Sequence, residues 1–272
     1  MPDAWSEAML EPGTSGRNRV IGGVACLVCE PATQLGTILY LHGGGYRMGS
    51  PAAWANFASR LAAATMCRIV VPDYRLAPEH PFPAAVDDAL TAWRQLVASG
   101  TPPSRIVVAG DSAGGGLALA TMISVRNQGL PLPAAAVLIS PWVDLAGTGS
   151  TLETLQARDP VVQKAGLFDM AKYYLGERDP RTPLASPLYA DLSGLPPLLI
   201  QVGTEEVLLD DSLRLNHRAR EQGVSTTLEV WDEMIHVWHF FHPQLQEGRE
   251  AIGHIGDYVR EHVAAPRAAA VA

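Results

Sequence analysis

Gly110-Asp111-Ser112-Ala113-Gly114 sets one hydroxyl among three small residues, in the spacing G-x-S-x-G. The residues before it, Arg105 to Ala109, read as a strand, and those after it, Gly115 to Ala120, open a helix. A strand, a tight turn and a helix lift a serine hydroxyl above a sheet, where it can attack a carbonyl carbon. A plainer role for the same residues is a glycine-rich turn whose serine caps a helix. Nucleophilic chemistry requires partners, because a serine hydroxyl at neutral pH needs a base to take its proton and a third group to orient that base.

In folds that use this turn, the chain order is serine, then a carboxylate after one late strand, then a histidine after the next. Both places are occupied. The run Leu198–Gly203 leads into a loop with four carboxylates, Glu205, Glu206, Asp210 and Asp211, and Thr226–Trp231 leads towards His236, with His239 and His242 close behind. Spacing alone selects neither one carboxylate nor one histidine. Asp210 and Asp211 suit the solvated start of the next helix, where the dipole favours negative charge. Two of the three histidines are expected to be packing or surface residues.

A third element is Leu39-Tyr40-Leu41-His42-Gly43-Gly44-Gly45-Tyr46, a strand running straight into three glycines. Backbone N–H groups held at such a loop stabilise the oxyanion of acyl transfer, and Ala113, the residue after the serine, supplies another. A phosphate cradle is the rival for any glycine-rich loop. Here no lysine follows and no G-x-G-x-x-G opens a helix.

These loops need a sheet to carry them. Compact apolar runs at Gly36–Leu41, Arg68–Pro72, Arg105–Gly110, Ala135–Ser140, Leu198–Gly203 and Thr226–Trp231 are expected strands, and Val20–Cys29 reads as an edge hairpin. Helical stretches alternate with them at Trp54–Ala64, Ala84–Ser99, Gly114–Asn127, Asp211–Gln222 and Gln246–His262. The alternation predicts an α/β chain with a mostly parallel central sheet flanked by helices. It breaks once, over residues 145–195, where short helices near Thr151–Gln156 and Gly166–Leu175 stand between prolines. A connection of that length reads as a cap or lid inserted into a single domain spanning 1–272. The alanine-rich stretch 264–272 has little to bury and is expected to fray.

Composition excludes several function classes. The 272 residues are 47% hydrophobic and 18% charged, with mean hydropathy +0.08, as in ordinary globular domains. Twenty Lys and Arg against 28 Asp and Glu give a formal charge of −8, which argues against nucleic acid or anionic lipid as partners. No apolar run approaches the roughly 20 residues of a membrane span, and Met1–Glu7 lacks the basic start of a secretory signal. A cytoplasmic protein is expected. Three cysteines, Cys26, Cys29 and Cys67, make a poor disulfide framework, and the single CxxC has no second pair to make a metal site.

Four ordered motifs carry a family resemblance: His42-Gly43-Gly44-Gly45-Tyr46, Asp73-Tyr74-Arg75-Leu76-Ala77-Pro78-Glu79, Gly110-Asp111-Ser112-Ala113-Gly114-Gly115 and Ser140-Pro141-Trp142-Val143-Asp144-Leu145. From about Val20 to Val263 the chain resembles the hormone-sensitive-lipase-like (bacterial family IV) carboxylesterases of the α/β-hydrolase fold. The resemblance implies that Ser112 is the nucleophile and His236 the base, with Gly44, Gly45 and Ala113 donating to the oxyanion and His42 supporting the loop. The family's acid is usually an aspartate in a G-x-x-D-P-L-x-D-like segment; in Gly203–Asp210 that position holds Glu206, next to Glu205.

A second departure is the short stretch before His42, which implies a reduced helical cap with residues 1–19 as its N-terminal remnant, and hence a broad preference for short acyl groups. The resemblance further implies a small-molecule ester substrate, no metal, no cofactor and a homodimer. A dedicated deacetylase, lactonase or lyase of secondary metabolism is the alternative on the same scaffold, and a non-catalytic ligand-binding protein is a more distant one.

Overall fold

The computed structural model describes residues 10–264. Its centre is an eight-stranded sheet of β1 (Thr14–Ile21), β2 (Val24–Pro31), β3 (Gly36–Leu41), β4 (Cys67–Pro72), β5 (Ile106–Asp111), β6 (Ala135–Ile139), β7 (Leu198–Gly203) and β8 (Thr226–Trp231). The spatial order is β1-β2-β4-β3-β5-β6-β7-β8. Strands β3 to β8 run parallel, while β2 lies antiparallel to β4 and β1 antiparallel to β2. The inner strands are largely apolar runs because both their faces are buried: every residue of β3, β5, β6 and β7 is buried, with Thr37, Asp111 and Gln201 as the polar exceptions.

Helices cover both faces. On one side α1 (Ala55–Thr65) and α7 (Gln246–Ala264) pack Phe57, Leu61, Ile252, Ile255 and Val259 against Ile38, Ile69 and Val107. On the other, α2 (Ala84–Ala98), α3 (Ala113–Asn127) and α6 (Leu209–Glu221) share a core with Leu39, Val70, Val108 and Leu138. Helix α3 is buried from Ala113 to Val125, so it carries no charged stripe there; it is mostly Gly, Ala and larger apolar residues, and the hydroxyls of Thr121 and Ser124 bond back to the Leu117 and Ala120 carbonyls. This is the α/β-hydrolase fold, and its sheet and main helices lie within a few residues of where the apolar runs place them. Among the described residues no helix is long and apolar enough to cross a membrane.

Two expectations need correction. The edge hairpin begins at Thr14, not Val20: β1 and β2 turn at Gly22-Gly23 and pair from Ile21↔Val24 out to Thr14↔Pro31. Residues 14–19, expected as a cap remnant, are therefore a strand of the sheet, and residues 1–9 lie outside the described residues. An edge strand wet on both faces shows no apolar alternation, and Arg17, Asn18 and Arg19 are the polar residues that keep such an edge from pairing further. The tail expected from residue 264 is described only at Ala264, which closes α7; residues 265–272 lie outside the description.

Between β6 and β7 the chain makes α4 (Thr151–Thr154) and α5 (Lys164–Leu175) and returns through a 3₁₀ turn at Pro187–Tyr189. Leu152, Leu167, Ala171, Tyr174 and Leu175 join the core shared by α2 and α3, so this segment packs on the body of the protein above the strand ends. Tyr174 stacks on Tyr46 with ring centroids 3.8 Å apart, which ties α5 to the loop after β3.

Candidate active site

In this topology the chain leaves β3 on one side to build β4 and returns on the other as β5, and the loops after β3 and β5 part above their carboxyl ends. Such a switch point is where open α/β sheets bind ligands. Leu41 pairs with Gly110, so His42-Gly43 and Asp111-Ser112 emerge side by side. Ser112 sits at φ 53°, ψ −123°, a conformation that costs about 1–3 kcal/mol for a residue with a side chain. The turn tolerates it because the helix starts hard against β3: a Cβ on Gly114 would lie 1.9 Å from the carbonyl oxygen of Leu41. Ala113 opens α3, so its N–H is among those a helix N-terminus leaves without an intrahelical acceptor.

Asp111 holds the two loops together. Its Oδ1 accepts from the Tyr40 hydroxyl at 2.7 Å, the Trp54 indole N–H at 2.9 Å and the Gly43 backbone N–H at 3.1 Å. Burial pushes its carboxyl up to about 6 against these donors. Beside it His42 lies wholly buried, stacked on Tyr74 at 4.3 Å, with Nδ1 donating to the Gly43 carbonyl at 2.7 Å. Burial lowers its pKa to about 4, so the ring is neutral and serves the loop as a packed plate. The next glycines, Gly44 (φ 108°) and Gly45 (φ 62°), need their missing side chains: a Cβ on Gly44 would meet the Met48 carbonyl at 2.1 Å, and one on Gly45 the Met170 sulfur at 2.1 Å.

The second half of the site comes from the loops after β7 and β8. His236 Nδ1 donates to Glu206 Oε2 at 2.7 Å, which leaves Nε2 as the ring's acceptor. Glu206 is fully buried, and its other oxygen accepts from the Gly203 N–H at 2.7 Å and the Ser140 hydroxyl at 2.8 Å. Ser140 in turn accepts from the Val237 N–H at 3.2 Å, so one hydroxyl links the carboxylate to the histidine loop. Burial is the largest influence on His236 and opposes its charge, yet the Glu206 hydrogen bond and the charges of Glu206, Asp159 and Asp111 outweigh it and raise the pKa. The imidazolium is thus stabilised in place.

Ser112, His236, Gly44 and Gly45 open on one cavity of about 440 Å³. Its other walls are mostly apolar, with Val161, Leu167 and Met170 from the inserted segment and Val237, Phe240 and Phe241 after His236, and Asp111 and Gln163 as the polar exceptions. Ala113, His42 and Glu206 do not line it; they stand behind it, Glu206 at the back of His236. Glu205 points away and pairs with Arg158. The other two histidines are structural, as expected: His239 bonds Gln201 at 2.7 Å and His242 bonds Asn56 at 3.0 Å.

The expectation that Asp210 and Asp211 are merely solvated is corrected. Asp210 accepts from the Ser150 N–H and hydroxyl, each at 2.6 Å. Asp211 is buried and accepts from the Val143 and Asp144 N–H groups at 2.9 and 3.0 Å. Both use their place at the start of α6 to hold the inserted segment. Sequence reasoning also passed over Asp159, whose Oδ2 accepts from the Val207 N–H at 2.9 Å and whose Oδ1 accepts from the Val161 and Val162 N–H groups, both at 2.8 Å. Asp111 and Ser140 stand inside quoted motifs, but only tertiary contacts show their work. Asp159 has a fainter signal, an acid followed by Pro160 in a segment otherwise short of structure.

A hydroxyl, an imidazole oriented by a buried carboxylate and a glycine loop around one apolar cavity can perform acyl transfer. Known proteins agree. A family model described as alpha/beta hydrolase fold matches residues 38–240. An acetyl-hydrolase of Streptomyces hygroscopicus is 52% identical over 85% of this chain and 78% of its own, and an esterase of Acinetobacter venetianus is 35% identical over 84% and 75%. The crystal structure of an esterase from the bacterial hormone-sensitive lipase family superposes with a TM-score of 0.92 at 47% identity, covering 93% of this chain and 86% of that one. With these likenesses extending across the sheet, the inserted segment and the cavity, the chain belongs to the bacterial hormone-sensitive-lipase-like esterases of the α/β-hydrolase fold and is a carboxylic ester hydrolase.

Proposed function

We propose that Ser112, His236 and Glu206 are the nucleophile, base and orienting acid of this esterase. The observation that carries the reading is the 2.7 Å bond from His236 Nδ1 to buried Glu206, with Ser112 and His236 facing the same cavity. Ser112 Oγ attacks the ester carbonyl as His236 Nε2 takes its proton, and the oxyanion is met by the N–H groups of Gly44, Gly45 and Ala113. His236 protonates the departing alcohol, leaving an acyl group on Ser112. Water, deprotonated by the same histidine, attacks that acyl carbon and releases the acid. His42 and Asp111 support the oxyanion loop and transfer no proton.

The substrate is a neutral ester with a short-to-medium acyl group, suited to an apolar cavity of about 440 Å³ roofed by residues 145–195 acting as a lid. Acetyl esters, in view of the Streptomyces relative's name, belong in the test series. Hydrolysis of p-nitrophenyl acetate, butyrate, octanoate and laurate is expected to favour the shorter chains and to vanish in Ser112→Ala. A deacetylase of one complex substrate is the second reading, and activity on that substrate without activity on simple esters would replace the first. The enzyme is also expected to form a homodimer through the β8 edge and to work in the cytoplasm, where the free thiols of Cys26, Cys29 and Cys67 persist.

A further inference from the structure

Next to the catalytic cavity lies a second, mostly apolar groove of about 430 Å³, lined by Met234, Ile235, Trp238, Phe241 and Leu245 together with Glu233 and Gln244. Phe241 is the one residue that lines both. Its neighbour Phe240 is wedged between Trp54 and Phe57, with ring centroids 5.6 and 4.8 Å away, whereas Phe241 is 48% exposed. The backbone on either side is fixed, because Trp238 and His239 are fully buried and His242 is held by Asn56. A ring on a fixed backbone, half in water, can change rotamer without moving the turn that carries it.

We propose that Phe241 is a movable partition, and that the groove behind it receives the distal part of a longer alkyl chain when the ring turns aside. The occupant is argued from continuity: a ligand seated at Ser112 reaches the groove across Phe241, the residue the two linings share, and Met234, Ile235, Trp238 and Leu245 suit an uncharged alkyl chain, while Glu233 disfavours an anionic one. With the ring in its present place the cavity ends at Phe241 and holds a short acyl group; with the ring aside, the same site accepts a longer one. Phe241 is thus a specificity-determining residue. The inference rests on the esterase reading of the cavity.

The test compares kcat/KM for p-nitrophenyl laurate and butyrate, below the micellar range, in the wild type, Phe241→Ala and Phe241→Ala/Leu245→Trp. Phe241→Ala is expected to raise the laurate-to-butyrate ratio by about tenfold or more, and Leu245→Trp, which fills the groove, to return the ratio to the wild-type value in the double variant. The ratio cancels any difference in the fraction of folded enzyme. An unchanged ratio in Phe241→Ala, or a gain that survives Leu245→Trp, overturns the proposal. So does a groove occupied by a second copy of the chain, seen as a change in sedimentation on Leu245→Trp with no change in the ratio. Wild-type protein inactive on butyrate would instead mean that the esterase reading itself has failed.

Discussion

At the scale of single residues, the site divides into groups that face the substrate and groups that hold them. His236 depends on one partner most: Glu206 fixes its tautomer through Nδ1 and offsets the burial that opposes its charge. Glu206→Gln is therefore expected to lower kcat/KM for p-nitrophenyl butyrate by about 10⁴-fold, the size of loss seen when the acid of a serine triad is neutralised. The pH profile should change as well. As the proposed base His236 must be neutral, and its pKa is raised, so wild-type activity is expected to be lost as the pH falls through a value above the ordinary 6.5. Removing the Glu206 charge moves that acid limb to lower pH, and an unmoved limb would show that Glu206 does not govern His236. Much of this was legible. The serine and the glycine loop stand in motifs whose spacing carries a mechanism, whereas His236 is set apart from His239 and His242 only by the family resemblance. Asp111 was not legible, since its three donors come from Tyr40, Gly43 and Trp54, and nothing in G-x-S-x-G marks the second residue as their acceptor.

At the scale of elements, three carboxylates join the segment between β6 and β7 to the start of α6. Asp159 answers three backbone N–H groups, two on the cavity wall and one on Val207, the residue after Glu206. Asp159→Ala strands the Val207 N–H in the interior, at about 1–3 kcal/mol for a buried donor left unpaired, and frees those of Val161 and Val162, which water reaches, at a smaller cost. The expected loss is about 2–4 kcal/mol in urea unfolding, with a fall in kcat/KM because the loop carrying Glu206 loses an anchor. Asp159→Asn, which keeps an acceptor, should lie between. Asp211 makes a different prediction. Burial pushes its carboxyl up to about 8, with Asp144 adding to the rise and the Val143 N–H opposing it. The folded chain then holds a proton that the unfolded chain releases from about pH 4 upwards, so this stabilisation is complete at low pH and lost as the pH rises through 8. Asp211→Asn keeps an acceptor for both N–H groups and does not titrate, so its Tm should fall less than that of the wild type between pH 6 and 9. Equal slopes would mean that Asp211 is ionised in the folded protein throughout. The sequence showed an acidic loop and a long insertion separately. That one holds the other is a contact across sixty positions, and no local pattern encodes it.

At the scale of the whole molecule, the two edges of the sheet are unlike, and one was only partly visible in advance. The β1 edge carries Arg17, Asn18 and Arg19, and its hairpin is legible only from Val20 onward, because a strand wet on both faces has no reason to alternate. Charge there discourages a second chain from pairing. The β8 edge has the opposite character: in Thr-Thr-Leu-Glu-Val-Trp a single acid interrupts β-forming residues, Val230 is 45% exposed, and Leu213 on neighbouring α6 is 37% exposed. An unguarded edge of a parallel sheet can be closed by a two-fold axis that sets β8 antiparallel to its own copy, which satisfies the edge N–H and C=O groups and covers both side chains. Wild-type protein at about 10 µM is therefore expected to sediment as a dimer, a concentration well above the Kd of a stable isologous interface. Val230→Lys places two like charges close to the axis and should return the monomer. Ester hydrolysis should survive, because Val230 is not among the residues that line the cavity. A wild-type monomer at that concentration would remove the dimer, and a monomeric variant without activity would mean that the β8 edge supports the adjoining His236 loop as well as a partner.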